Sequence, residues 1–303
     1  MALAFRSAAN ADEVSGSSIT VNKPSGVVRG DILVAVVSAP AATLGLSGAA
    51  QTAWGSAETI TLAGSNLVTK VWIRQAGASE AASWAGFTIS PSAISSWACL
   101  AFSGGKGSDM VDASQSIADG LRVYGFPAFD STQLSITPSG TGRLGIYIAT
   151  FYQVGAGGIT HTWAGGGITE RVDEGEADEV QLAIGTGAPP PQSSTAPYPY
   201  VFNEPYNNIG SGSVNYNGIV IFLNPGSAPT ITSVTQDHGP VSGGESITII
   251  GTNFNASTEV TIGGTPCPGI TVVSSTQVTA TTPAGTVGAK TLAVYTDEGS
   301  ATY

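Results

Sequence analysis

Apolar and small polar residues alternate along this chain in short runs, and each run stops at Gly, Pro, Asn or Ser. Before residue 225 six runs stand out: GDILVAVVS (30–38), NLVTKVWI (66–73), SWACLAFSG (96–104), GRLGIYIATF (142–151), EVQLAIG (179–185) and YNGIVIFLNP (216–225). A two-residue period over such lengths predicts β-strands. An opening, a central and a closing strand follow one another in the same order in each half. That echo predicts two Greek-key halves folded face to face as one jelly-roll-like β-sandwich over residues 1–224. The Pro/Gly break at 225–228 reads as a short linker, so the next domain should sit end to end with the first. Beyond it, Val234, Ile247, Ile249, Val260, Ile262, Val278 and Val294 fall on strand spacing, and Phe254 is placed as a core plug. Gly239-Pro240 and Gly243-Gly244 supply the backbone angles of sharp reversals. No stretch carries a long 3.6-residue period with capping boxes, so helix should be sparse and the fold class all-β.

The C-terminal segments PTITSV, GPVSGGESITIIGTNF, EVTIGGTPC and TATTPAG, in that order, resemble the immunoglobulin-like IPT/TIG family over 229–303. That resemblance implies a small immunoglobulin-like sandwich and says little about function, because such sandwiches serve many roles. Residues 25–225 resemble, more loosely, a β-sandwich module of bacteriophage structural proteins. The carriers are the GD-initiated strand at 30–37, WIRQA at 72–76, AFSGG at 101–105, TERVD at 169–173 and the closing VIFLNP strand. A Pro- and Tyr-rich insertion at 187–208 departs from that pattern.

Charge narrows the partners. The chain has 303 residues, 10 Lys and Arg against 21 Asp and Glu, and a formal charge of −11; beyond Pro225 Lys290 is its one cation. Some IPT/TIG relatives in transcription factors grip DNA, which requires a basic face to displace counterions from phosphates. Nucleic-acid and anionic-membrane binding are therefore disfavoured. Ile32–Val37 is too short an apolar run to span a bilayer, so no membrane insertion is expected. Met1–Asn10 lacks a charged leader followed by a hydrophobic run, so no Sec export signal is expected there. Cys99 lies in an apolar strand and Cys267 in the other domain, which suits buried thiols and a reducing site of synthesis.

Several residue groups invite a chemical reading. Asp173, Glu174, Glu176, Asp178 and Glu179 gather five carboxylates in seven residues, as a Ca²⁺ site would, although the EF-hand spacing is missing. The alternative is a solvated hairpin loop between strands at 169–172 and 180–184. In the insertion, prolines stiffen an arm bearing Tyr198, Tyr200, Phe202 and Tyr206. Those rings suit docking on a neighbouring subunit or stacking on a sugar; the other reading is a loop lying across its own sandwich. Trp72 and Trp97 sit inside apolar strands and read as core. Trp54, Trp84 and Trp163 are flanked by Gly, Ala and Ser, and read either as stacking residues of a carbohydrate-binding module or as residues buried under loops. Arg29-Gly30-Asp31 spells an adhesion tripeptide, but it runs into a strong strand and reads as the turn that launches it. His161 and His238 lie in different domains without nearby ligands, so zinc is unsupported. No nucleophile elbow or Walker loop occurs, which predicts no enzyme and no cofactor.

Taken together, these features lead to an expected virion protein of a bacteriophage, a capsid decoration, head-fibre, minor tail or fibre protein. It would be made in the host cytoplasm and act through homo-oligomeric contacts and contacts with other virion proteins. Weak adhesion to host-surface glycans would be an added role. The alternative is a bacterial carbohydrate-binding or adhesin module.

Overall fold

The computed structural model describes residues 3–40, 43–63, 66–107, 110–123, 142–154, 163–164, 168–174, 180–187, 201–202 and 213–303. Nearly every element among them is a strand. The single helix in this set, α1 (Gly48–Trp54), is short, in line with the absence of helical periodicity. A jelly-roll-like sandwich leads into an immunoglobulin-like one, as the alternation pattern predicts.

The chain completes one layer of the larger sandwich before it starts the other. The first layer is built from β1 (Ala4–Asn22), β2 (Ile32–Pro40), β3 (Thr43–Leu46), β4 (Glu58–Ala63), β5 (Leu67–Gln75) and β6 (Ser83–Ser103). Its order is β1-β6-β2-β5-β4, with β3 also paired to β6. The second layer contains β7 (Val111–Val123), β8 (Leu144–Val154), β10 (Ile168–Glu174), β11 (Val180–Gly187) and β13 (Ser213–Leu223), in the order β7-β13-β8-β11-β10. The two-residue strands β9 (Trp163–Ala164) and β12 (Val201–Phe202) pair separately. In both layers the last strand inserts between the first two, and the next pair follows beyond the second strand. The repeat faintly written in sequence is thus a repeat of topology.

The equivalence extends to register. Ile32, Val34 and Val36 of β2 face the space between the layers, as Ile146 and Ile148 of β8 do from the other side. Leu100 and Phe102 of β6 meet Ile219, Ile221 and Leu223 of β13 in the same core. Burial of this many branched side chains, at about 1.5–3 kcal/mol each, is the main term holding the layers together. One end of the core is polar. Ser38 pairs in register with Ser96, and the equivalent Thr150 pairs with Asn217. Ser96 Oγ donates to the carbonyl of Val180, the first residue of β11; Asn217 Nδ2 donates 3.0 Å to the carbonyl of Leu67, the first residue of β5. Each layer therefore caps the corresponding strand of the other, and the hydroxyls of Thr69 and Thr150 close the seam at 2.6 Å.

The first strand of each layer carries the same irregularity. β1 bulges between Phe5 and Ser7, and β7 between Val111 and Ala113. A bulge redirects one side chain from the sheet. In the first layer that residue is Arg6, whose Nε lies 2.7 Å from Asp31, just before β2. In the second it is Asp112, paired at 3.2 Å with Arg143, just before β8. The ion pair is conserved in place and reversed in sign.

Both layers bury side chains on their outer faces as well: in the second layer Tyr147, Ala149, Ala183, Val220 and Phe222 are buried, with Tyr147 and Phe222 edge to face at 6.4 Å. β2 is buried on both sides, which explains its unbroken apolar run. Leu33, Ala35 and Val37 point away from the inter-layer core into a second core with Trp54 of α1, Leu44 of β3, Ile19 and Val21 of β1, and Trp84 and Phe87 of β6. β1 and β6 reach this second core because they are 19 and 21 residues long and bend at further register shifts. Within it Arg74 stacks over Trp54 at 4.6 Å and over Trp84 at 5.2 Å. Its fork is bound by Glu80 at 2.8 and 2.5 Å. Burial pushes the Glu80 carboxyl up, but the bonds from Arg74 and from the Gly77 N–H outweigh it and hold the carboxyl below its ordinary range.

The C-terminal sandwich packs the sheet β14 (Thr230–Thr235)-β15 (Ser246–Thr252)-β19 (Gln277–Thr281)-β18 (Thr271–Ser274) on the sheet β17 (Thr265–Pro266)-β16 (Glu259–Ile262)-β20 (Leu292–Thr296)-β21 (Gly299–Thr302). Ile247, Ile249, Val260, Val278, Val294 and Phe254 are buried between them, with Val234 and Ile262 at the margin.

Candidate contact sites and the domain junction

The sequence-predicted groups have different fates. Asp173 and Glu174 end β10, while Glu176, Asp178 and Glu179 lie outside the described residues. Phe202 lies in β12, in backbone register with Trp163; Tyr198, Tyr200 and Tyr206 lie outside the described residues, as does His161. Trp54 and Trp84 are buried and meet edge to face at 5.2 Å, so of their two readings burial holds and sugar stacking is corrected. Their small neighbours are what allow close packing under α1 and β6. Cys99 and Cys267 are buried free thiols, and burial pushes both thiol pKa values up, which makes them poor nucleophiles. Among the described residues no helix is long and apolar enough to cross a membrane.

The tripeptide at 29–31 is engaged within the molecule rather than displayed. Asp31 is 2% exposed and accepts bonds from Arg6 and, at 2.9 Å, from the Val28 N–H. Arg29 belongs to a contact that sequence reading missed, the junction between the two sandwiches. Its two terminal nitrogens hold both oxygens of Glu259, at the start of β16, and its guanidinium lies 5.4 Å over the ring of Tyr295 in β20. Planar, bidentate pairing of this kind fixes orientation as well as charge. The Arg29 hydrogen bond draws the Glu259 carboxyl below its ordinary pKa, and Arg29 is raised in turn by the bond to Glu259. Beside this pair Gln75, the last residue of β5, donates from Nε2 to the carbonyl of Asp297.

The connecting chain is stitched to both sides. Gly226 N donates to Gly104 O at 2.8 Å, Ser227 N to Glu298 Oε2 at 2.8 Å, and Asn253 Nδ2 to Ala228 O at 2.9 Å. Two glycines make the approach possible. A Cβ on Gly107 would stand 2.4 Å from the Asp297 Cβ, and one on Gly226 would stand 2.4 Å from the Gly105 carbonyl oxygen. The C-terminal sandwich is therefore bound to the end of the larger one by paired charge, backbone bonds and close packing. A signal was present in the sequence: Glu259, Asp297 and Glu298 are three of only five carboxylates after residue 228, in an otherwise nearly uncharged domain. Their partner lies 230 residues away, which no local pattern reveals.

Residues 229–303 match the IPT/TIG domain family, and the C-terminal sandwich is an IPT/TIG domain. Over 59 residues the chain is 48% identical to Plexin-2 of Caenorhabditis elegans, covering 19% of this chain and 3% of that protein. Over 69 residues it is 39% identical to Fibrocystin-L of Mus musculus, covering 22% of this chain and 2% of that protein. The chain thus spans a small fraction of both curated relatives. Among solved structures, the extracellular region of Plexin A4 (domains 1 to 8) aligns with 97% of this chain and 32% of its own, at 14% identity and a TM-score of 0.24.

Proposed function

We propose that this chain is a non-enzymatic structural protein of a bacteriophage virion, displayed on the capsid or tail, with the larger sandwich anchoring it and the IPT/TIG domain carried outward. The junction is the observation that supports this reading most directly. A domain intended to swing would hang on a loose linker, whereas Arg29, Gln75, Gly107 and Gly226 hold this one at a set angle. Short segments of residues 25–225 that resemble phage structural modules add support, as does an acidic surface that keeps crowded copies apart. The arm at 189–206, with Tyr198, Tyr200, Phe202 and Tyr206, is proposed for contact with a neighbouring subunit. Anchoring then needs no chemistry beyond burial of apolar and backbone surface.

Electron micrographs of native particles labelled with an antibody against residues 229–303 test this. Label at regular positions on head or tail is expected; particles free of the protein would overturn the assignment. Deleting 189–206 should give a folded, soluble protein that no longer joins the particle, and normal incorporation would refute the arm's role. The carbohydrate-binding alternative has lost two of its three tryptophans, Trp54 and Trp84, to the core.

A further inference from the structure

The end of the IPT/TIG domain opposite the junction is open. Strands β14, β15, β16 and β20 each have one terminus at the junction side and the other at this far pole, where the loops 236–245 and 282–291 stand either side of a groove of about 740 Å³. Its floor is the mouth of the core, with Ile247, Ile262 and Leu292. Three of the six large apolar side chains exposed among the described residues line the groove: Val241 at 53%, Val287 at 89% and Tyr303 at 56%. Clustered apolar exposure, unlike scattered exposure, marks a contact surface.

The rim is built in advance. Gly285 N donates to Val241 O at 2.8 Å, Gly244 N to Thr282 O at 2.9 Å, and Thr282 N to Glu245 O at 2.8 Å, which ties the two loops together. An occupant therefore meets a formed groove and pays little to order it. Charge selects the occupant. Asp237 and Glu245 stand on one wall and Lys290, bonded to Thr286 at 2.9 Å, on the other; the two carboxylates outnumber that cation, and the domain as a whole carries five carboxylates against it. Asp237 is partnered by His238 at 2.9 Å, which leaves Glu245 as the more available acceptor at the rim. A second copy of this acidic chain would be repelled, and a basic partner attracted.

We infer that this far pole is a docking groove for a polypeptide segment that presents one apolar side chain flanked by Lys or Arg. The apolar group would sit on the open core between Val241 and Val287, and a flanking cation would meet Glu245. This deepens the proposed display role by naming a class of partner, and it relies on that role only for placing the pole outermost.

The test uses the full chain and fluorescein-labelled ten-residue peptides with a central Leu flanked by Lys, read by fluorescence anisotropy at low salt. Val287→Asp and Val241→Asp are each expected to weaken binding about tenfold or more, as loss of an interface anchor does. Both side chains are solvent-exposed, so circular dichroism should show the fold intact. Val273→Asp, equally exposed but away from the groove, should bind as the parent does. Peptides with Glu in place of Lys should bind at least about tenfold less tightly. The inference is overturned if no Lys-flanked peptide binds, or if Val287→Asp binds as the parent does. It is overturned equally if sedimentation shows a dimer lost in Val287→Asp, or if a glycan array is bound through the same residues. Peptide binding by a protein found absent from particles would sink the display role alone; the reverse pair of results would sink this inference alone.

Discussion

The two layers of the larger sandwich share a plan and almost no residues. Each inserts its last strand between its first two, bulges its first strand at the same point, and caps the other layer from the same strand. Where the first layer has Arg6 on the bulge and Asp31 before the second strand, the other has Asp112 and Arg143. The pattern of faces and the pairing of charges are retained, while the identity of each residue is free to change. On its outer face the first layer builds a second, aromatic-rich core from α1, β3 and the extended parts of β1 and β6, and the second layer buries Tyr147, Val220 and Phe222 on its own outer face.

Truncation of the shared core should break both layers alike. Leu100→Ala and Ile221→Ala, at equivalent positions, should each cost about 3 kcal/mol in urea unfolding of the full chain. Costs differing by several kcal/mol would show that the layers are not equivalent in packing. The reversed ion pair offers a sharper test. Asp31→Arg alone places two cations together at a buried site and should cost about 3 kcal/mol. Adding Arg6→Asp copies the arrangement of the other layer and should recover more than half of the loss, though the bond from the Val28 N–H is gone. No recovery would mean that the reversed sign is tied to its own surroundings.

Smaller effects are expected at the polar end. Ser96→Ala and Asn217→Ala should each cost about 1 kcal/mol, because each leaves one strand-opening carbonyl of the opposite layer unbonded. The smallest effect on stability belongs to the junction, where Arg29→Ala removes a partly exposed pair worth roughly 0.5–1 kcal/mol. Its geometric effect should be larger, with the radius of gyration from X-ray scattering rising as the IPT/TIG domain gains freedom. Acid should act in the same direction. The folded-state pKa of Glu259 is depressed, so the clamp is complete above the ordinary carboxylate value and is lost as pH falls through the folded value. Scattering that does not change between neutral and strongly acidic pH, in a protein still folded, would count against a Glu259 clamp.

Much of this architecture was legible in advance. Alternation marked β2, β5, β6, β8, β11 and β13, and their repeated order foreshadowed the matching layers. The turn glycines and apolar spacing of 229–303 identified the IPT/TIG domain. Trp54 and Trp84 carried two readings because small neighbours accompany both exposed rings and tightly packed ones, and it is the buried reading that holds. The junction stayed hidden because Arg29 resembled part of an adhesion motif, and because ion pairs across 230 residues leave no trace in local spacing.

By itself, then, the order of residues determined where strands form and which side chains share a face, since both follow from a two-residue period and the chemistry of turns. Only the assembled structure decided what each face meets: that β2 serves two cores, that Arg74 lies between Trp54 and Trp84, and that Arg29 locks onto Glu259. Those choices depend on which distant segments come within a few ångströms, and that is a property of the packed chain.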